Sequence, residues 1–97
     1  MNNYILSQEA DNDLENIFDF TNAKFDLNQA FIYLSDIEEL FCKLVLNPEI
    51  GRVRNELKQG LYSFPIREHT IFYRIMSDHI RIVRIIYGAR DIPRFFE

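Results

Sequence analysis

Leu61-Tyr62-Ser63-Phe64-Pro65-Ile66-Arg67-Glu68-His69-Thr70-Ile71-Phe72-Tyr73-Arg74-Ile75-Met76-Ser77-Asp78-His79-Ile80-Arg81-Ile82-Val83-Arg84-Ile85-Ile86-Tyr87 is the stretch that decides the fold class. It holds three runs of β-branched and aromatic residues, which suit a pleated, half-buried surface better than a helix. The run 61–64 stops at Pro65, whose missing N–H fits a strand end or edge. Residues 69–76 lead through a two-residue turn at Ser77-Asp78 into 80–87, and Gly88 breaks the last run. Three successive strands with short connections predict an antiparallel meander.

Alternation along those strands predicts two faces. Ile71, Tyr73 and Ile75 share one side of 69–76, with Thr70, Phe72, Arg74 and Met76 on the other. Strict alternation puts Val83, Ile85 and Tyr87 on one side of the last strand and Ile80, Ile82, Arg84 and Ile86 on the other. Both faces are substantially apolar, so a single layer of helices leaves one face for the C-terminal tail, another chain or solvent.

Upstream the period changes. Tyr4-Ile5-Leu6 reads as a short strand, and Ser7 as the N-cap of a helix over 8–25, with an apolar stripe of Ala10, Leu14, Ile17, Phe18, Thr21 and Phe25. Asp26, followed three residues later by Gln29, resembles a capping box and restarts the chain as a second helix. Its stripe is Ala30, Tyr33, Leu34, Ile37, Leu40, Phe41 and Leu44, and Asn47-Pro48 ends it. Between Pro48 and Gly60 lies a polar connection without periodicity. The expectation is a single α+β domain over 1–97, a two-helix hairpin packed on a small, mainly antiparallel sheet in the order β-α-α-β-β-β with a short C-terminal segment.

Charge divides the same way. Residues 1–48 carry nine acids against Lys24 and Lys43, a balance of −7, and residues 49–97 carry nine bases against six acids, a balance of +3. The overall −4 argues against simple non-specific nucleic-acid binding, while the basic half can still present a local anion-seeking face. Arg52, Arg54 and Lys58, three cations in a connection, read most simply as solvated. Arg84 interrupts an isoleucine-rich strand and must be paired or reach solvent, either in a structural ion pair, with Asp91 or Glu68 as candidate partners, or in the binding groove.

Other features narrow the chemistry. The single cysteine, Cys42, forms no internal disulfide, and beside Phe41 it reads as a small apolar filler of a buried helix face. His69 and His79 lack a clustered acid or thiol, so no metal or other cofactor is expected. No apolar run reaches the roughly 20 residues that span a bilayer, and the first residues lack signal-peptide character, so the expected location is cytoplasmic, without a membrane partner.

The series Pro48-x-x-Gly51-Arg52-x-Arg54-x-Glu56-Leu57-x-x-Gly60-Leu61-x-Ser63-Phe64-Pro65, continuing to His69-x-Ile71-Phe72-Tyr73-Arg74, strongly resembles the ParE branch of the RelE/ParE toxin superfamily. Leu6-Ser7-x-x-Ala10-x-x-Asp13-Leu14, Gln29-Ala30-x-x-Tyr33, Ile82-x-Arg84-Ile85 and Arg90-Asp91 extend the resemblance over nearly the whole chain. It implies a toxin of a bacterial type II toxin–antitoxin pair that poisons DNA gyrase by protein contact, without catalysis or a small-molecule substrate. A ParD-like antitoxin would neutralise it, and operator DNA would be reached only through that antitoxin. The antitoxin is expected on the second sheet face at Phe72, Ile80, Ile82 and Ile86, and the target at Arg90, Arg94, Phe95 and Phe96.

The rival branch, RelE-like ribosome-dependent mRNA endonucleases, needs cations on the scissile phosphate and a positioned acid/base pair. Here the residues for that chemistry would be Arg67, His69, Tyr87 and Arg90, and the family's strand positions hold Tyr62, Phe64 and Thr70 instead. A third reading is a degenerate member that binds antitoxin without toxicity.

Overall fold

The computed structural model describes residues 3–88. β1 (Tyr4–Leu6) leads into α1 (Gln8–Lys24) and α2 (Leu27–Leu46), followed by a 3-10 turn (Pro48–Ile50), β2 (Arg52–Val53), β3 (Leu61–Ile66), β4 (His69–Ile75) and β5 (Ile80–Tyr87). The predicted β-α-α-β-β-β order holds, with one addition. β2 is a two-residue edge strand inside the connection that carries no sequence period.

The caps lie where their chemistry demands. The Ser7 hydroxyl accepts the Ala10 N–H at 3.0 Å, and the Asp26 carboxylate accepts the Gln29 N–H at 2.7 Å, satisfying first-turn donors that have no partner within the helix. α2 ends at Asn47 because Pro48 follows. β3 runs through Pro65 rather than stopping at it. Pro65 stands opposite Thr70 near the hairpin end, where little pairing remains for its missing donor to disturb.

The five strands form one sheet in the order β1-β5-β4-β3-β2, with β1 parallel to β5 and every other pair antiparallel. The helical hairpin covers one face. Ile37, Phe41 and Leu44 from α2 and Ala10 and Ile17 from α1 pack there on Ile71, Tyr73, Ile80, Ile82 and Ile85. The Tyr73 hydroxyl, at the middle of the sheet, donates to the Pro48 carbonyl at 2.7 Å and accepts the Gly51 N–H at 3.0 Å, which fastens the 3-10 turn to the core. A side chain at Gly51 would collide with that hydroxyl, a Cβ falling 2.2 Å from it.

One irregularity corrects the face assignment. Phe72 pairs with Arg84 and Tyr73 with Ile82, so Val83 is an extra residue in β5. This β-bulge inverts the alternation. Ile80 and Ile82 therefore lie in the helix-side core beside Ile85, all nearly or fully buried, while Phe72 and Ile86 lie on the opposite face. The second apolar face is also not left bare. Phe72, Leu61 and Ile86 are buried, with Leu57 of the 54–60 loop packed against them.

Two smaller expectations change as well. Cys42 is exposed, because it sits one step off the buried stripe of α2 that Phe41 and Leu44 continue. Phe25 is 64 % exposed beyond the end of α1, where the helix no longer faces the sheet.

Candidate partner-binding groove

β1 pairs only with Ile80–Ile82 of β5, so the remainder of that edge needs other partners. α1 supplies them. The Ser7 N–H donates to the Ile82 carbonyl at 2.9 Å and its hydroxyl to the Val83 carbonyl at 2.7 Å. Asp13, two turns into the helix, accepts the Ile85 N–H at 2.9 Å and takes the Arg84 Nε and Nη2 at 2.9 and 3.0 Å. Arg84 is thus engaged in a structural ion pair, as its place in an apolar strand predicts, and its partner among the described residues is Asp13 rather than Glu68, while Asp91 lies outside them. The carboxylate holds the Arg84 guanidinium in its charged form, raising its pKa further.

Beyond Asp13, α1 and β5 diverge. The space between them is an open groove of about 450 Å³, with Asn16, Ile17 and Phe20 on the helix wall and Ile85, Ile86 and Tyr87 on the strand wall. It continues past His69 into a hollow of about 260 Å³ bordered by Lys24, Phe25, Tyr33 and Arg67. Phe20, Phe25 and Tyr87 stand at the rim with 61, 64 and 70 % of their surface exposed. Three large rings left in water at one place mark a surface that gains by being covered.

His69 sits at the junction. Its Nδ1 is 2.7 Å from the Tyr33 hydroxyl, which also lies 3.1 Å from the Ile66 carbonyl, and its ring meets Tyr87 edge-on with centroids 5.4 Å apart. Burial lowers the His69 pKa against the opposing pull of Glu68 and Asp13, and burial pushes Tyr33 up to about 12. Near pH 7 the pair is a neutral imidazole against a protonated phenol.

Arg67 occupies a left-handed backbone position (φ 51°) in the β3–β4 turn, a conformation that costs a side-chain-bearing residue free energy. An ion pair to Asp36 and a cation–π contact 4.7 Å from the Tyr33 ring centre hold it there. The structure thus brings Arg67, His69 and Tyr87 to one end of the groove. It also commits Arg67 to a carboxylate and one nitrogen of His69 to Tyr33. Arg90, Arg94, Phe95 and Phe96 lie outside the described residues. Among the described residues no cluster of three or more metal-ligating side chains occurs, and no helix is long and apolar enough to cross a membrane.

Of the four residues expected to form one antitoxin-binding face, only Ile86 lines this groove; Phe72 is buried beneath the opposite face, and Ile80 and Ile82 are core. Phe20, Asn16 and Tyr33 were not among the expected site residues. The signal for Phe20 was available, since it is an aromatic residue on α1 that falls off the helix's own apolar stripe.

The family described as ParE toxin of the type II toxin–antitoxin system parDE matches residues 4–92. The chain is 33 % identical over 92 residues to Toxin ParE1 of Mycobacterium tuberculosis, covering 94 % of both chains. It is 27 % identical to Toxin ParE3 of Caulobacter vibrioides, covering 95 % of this chain and 92 % of that one. A solved chain of the chromosomal ParDE system of P. aeruginosa superposes with a TM-score of 0.78 at 22 % identity, covering 92 % of this chain and 97 % of that one, and shares its fold.

Proposed function

This chain belongs to the ParE toxin family of type II toxin–antitoxin systems, and from that footing we propose that it inhibits DNA gyrase by protein contact and is held inactive by a cognate ParD-like antitoxin seated in the α1/β5 groove. The observation that carries the antitoxin reading is the continuous groove rimmed by Phe20, Phe25 and Tyr87. An amphipathic partner segment laid along it would bury three rings that water now surrounds. The P. aeruginosa relative comes from a ParDE system, which supports a partner of that kind. Operator DNA is reached through the antitoxin, and the protein acts in the cytoplasm.

The preference for contact over chemistry rests on the state of the groove's polar groups. A nuclease needs cations available to a developing phosphate charge. Arg67 is engaged by Asp36 and Arg84 by Asp13, and the Tyr33 hydroxyl occupies His69 Nδ1. Arg90, Arg94, Phe95 and Phe96 are the proposed gyrase contacts.

Induction of the protein alone is expected to arrest growth, and coexpression with its antitoxin to restore it. Purified gyrase is expected to lose supercoiling activity in its presence, while mRNA on translating ribosomes stays intact. Intact supercoiling together with mRNA cleavage would transfer the chain to the RelE-like reading, and unimpaired growth would make it a non-toxic antitoxin binder. Phe20→Asp, placed at an exposed site, should abolish antitoxin protection while leaving toxicity in place.

A further inference from the structure

The bulge at Val83 has a second effect, on the face of the sheet away from the helices. Cross-strand pairing there produces two neighbouring rows. One runs Arg81 (β5), Arg74 (β4), Leu61 (β3), with Arg54 continuing it through its N–H bond to the Leu61 carbonyl at 2.8 Å. The other runs Arg84 (β5), Phe72 (β4), Ser63 (β3), Arg52 (β2). Arg81 and Arg84 are three residues apart and would face opposite ways in a regular strand; the extra residue gives both positions the same side. Arginine thus fills five of the eight register positions, but the Arg84 side chain turns to Asp13 of α1, which leaves Arg52, Arg54, Arg74 and Arg81 to this face.

Two of these arginines stand directly opposite each other. Arg74 and Arg81 are register partners, an arrangement of like charges that destabilises a strand pair. Among the described residues, neither they nor Arg52 has an ion-pair partner. Arg54 lies over the Phe72 ring at 5.9 Å, with its Nε on Glu56 and its Nη1 on Ser63, so the acid carried by the 54–60 loop is already engaged. A fold that keeps two arginines face to face without a counter-charge keeps them at a cost in stability, which points to use elsewhere.

We propose that this arginine face binds the phosphate backbone of duplex DNA directly and without regard to sequence. Four strands spaced about 4.8 Å apart spread the cations over about 14 Å, the rise of about four nucleotides of one strand. The cations are distributed across the face instead of gathered round a single pocket, as a repeating ladder of phosphates requires. Phe72 is fully buried, so it offers no ring for base stacking, the usual anchor of single-stranded nucleic acid. The acidic hairpin packs on the other side of the sheet, and among the described residues none of its carboxylates is ion-paired with Arg52, Arg54, Arg74 or Arg81. The contact is the chain's own, separate from operator recognition through an antitoxin, and does not depend on the gyrase reading.

Fluorescence anisotropy of the full chain with two labelled 20-bp duplexes of unrelated sequence, from 50 to 300 mM KCl, tests the proposal without gyrase or antitoxin present. Both duplexes should bind equally, with log K falling against log salt at a slope near −3, about 0.9 for each of three phosphates. Combining Arg74→Gln with Arg81→Gln should weaken binding at least about tenfold and flatten the slope by about 2. Arg81→Glu should lose DNA binding while its Tm stays level or rises by about 1–5 °C, since it converts a repulsive pair into an attractive one. Wild-type affinity in these folded variants would overturn the proposal, as would no binding at 50 mM KCl. Tighter binding to double-stranded RNA of equal length, or to polyglutamate, would overturn it too.

Discussion

The same strands carry opposite commitments on their two faces. Towards the helices, Ile71, Tyr73, Ile80, Ile82 and Ile85 are closed off by α1 and α2, and the Tyr73 hydroxyl finds both a donor and an acceptor there. Away from them, Leu61, Phe72 and Ile86 form a second buried cluster with Arg54 over the Phe72 ring, and Arg74 and Arg81 stand opposite each other with no ion-pair partner among the described residues. The first face gains stability from every residue on it. The second retains an arrangement that strand pairing alone disfavours. Stability and recognition are thus separated by the thickness of one sheet, and the groove between α1 and β5 opens where the helix layer stops covering the strand edge.

The sharpest way to break this contrast is Ile82→Asp. A carboxylate at that fully buried position has no partner and should cost more than about 4 kcal/mol, so circular dichroism should show no cooperative unfolding transition. A folded Ile82→Asp protein that merely fails to bind its antitoxin would mean that Ile82 lies on a docking face after all. Next in size is Asp13→Asn. It removes the charge that holds Arg84 and weakens the acceptor of the Ile85 N–H, a loss of about 2–3 kcal/mol by chemical denaturation, with α1 freed to move from β5.

The smallest effect comes from His69. Its folded pKa lies below the unfolded value of about 6.5, so at pH between the two the unfolded chain binds more protons. The stability contributed by neutral His69 is complete above that unfolded value and is lost as pH falls through it towards the folded one. An NMR titration should give a His69 midpoint below that of an unstructured histidine, and His69→Gln should flatten the acid limb of the stability curve. A midpoint at or above 6.5 would contradict the burial of this ring against Tyr33.

Much of this layout was legible in the residues. Ser7 and Asp26 announced both helix starts, Asn47-Pro48 the end of the second helix, and the β-branched runs the meander, since each signal is local and its partner lies within a few residues. β2 was not legible: two residues carry no period, and Arg52 and Val53 are strand only because β3 pairs with them. The bulge was equally hidden. Ile-Arg-Ile-Val-Arg-Ile-Ile-Tyr reads as an unbroken strand, and only the pairing of Phe72 with Arg84 reveals the residue that reverses its sides. That single residue explains why Ile80 and Ile82 were expected on the surface and lie in the core. The groove was half legible, through His69, Tyr87 and Ile86, but its helix wall depends on where Asp13 fixes α1, a contact 71 residues long in sequence.

The lengths of the strands bear on a hazard that every open sheet faces. Its outermost members, β1 and β2, are three and two residues long, against six to eight for the inner three. Short borders give another chain little backbone on which to extend the sheet, and where β1 ends Ser7 and Asp13 take up the hydrogen-bonding groups of β5 through Ile85. The fold thus blunts both borders of its own sheet against edge-to-edge aggregation, with two short strands and one helix N-terminus.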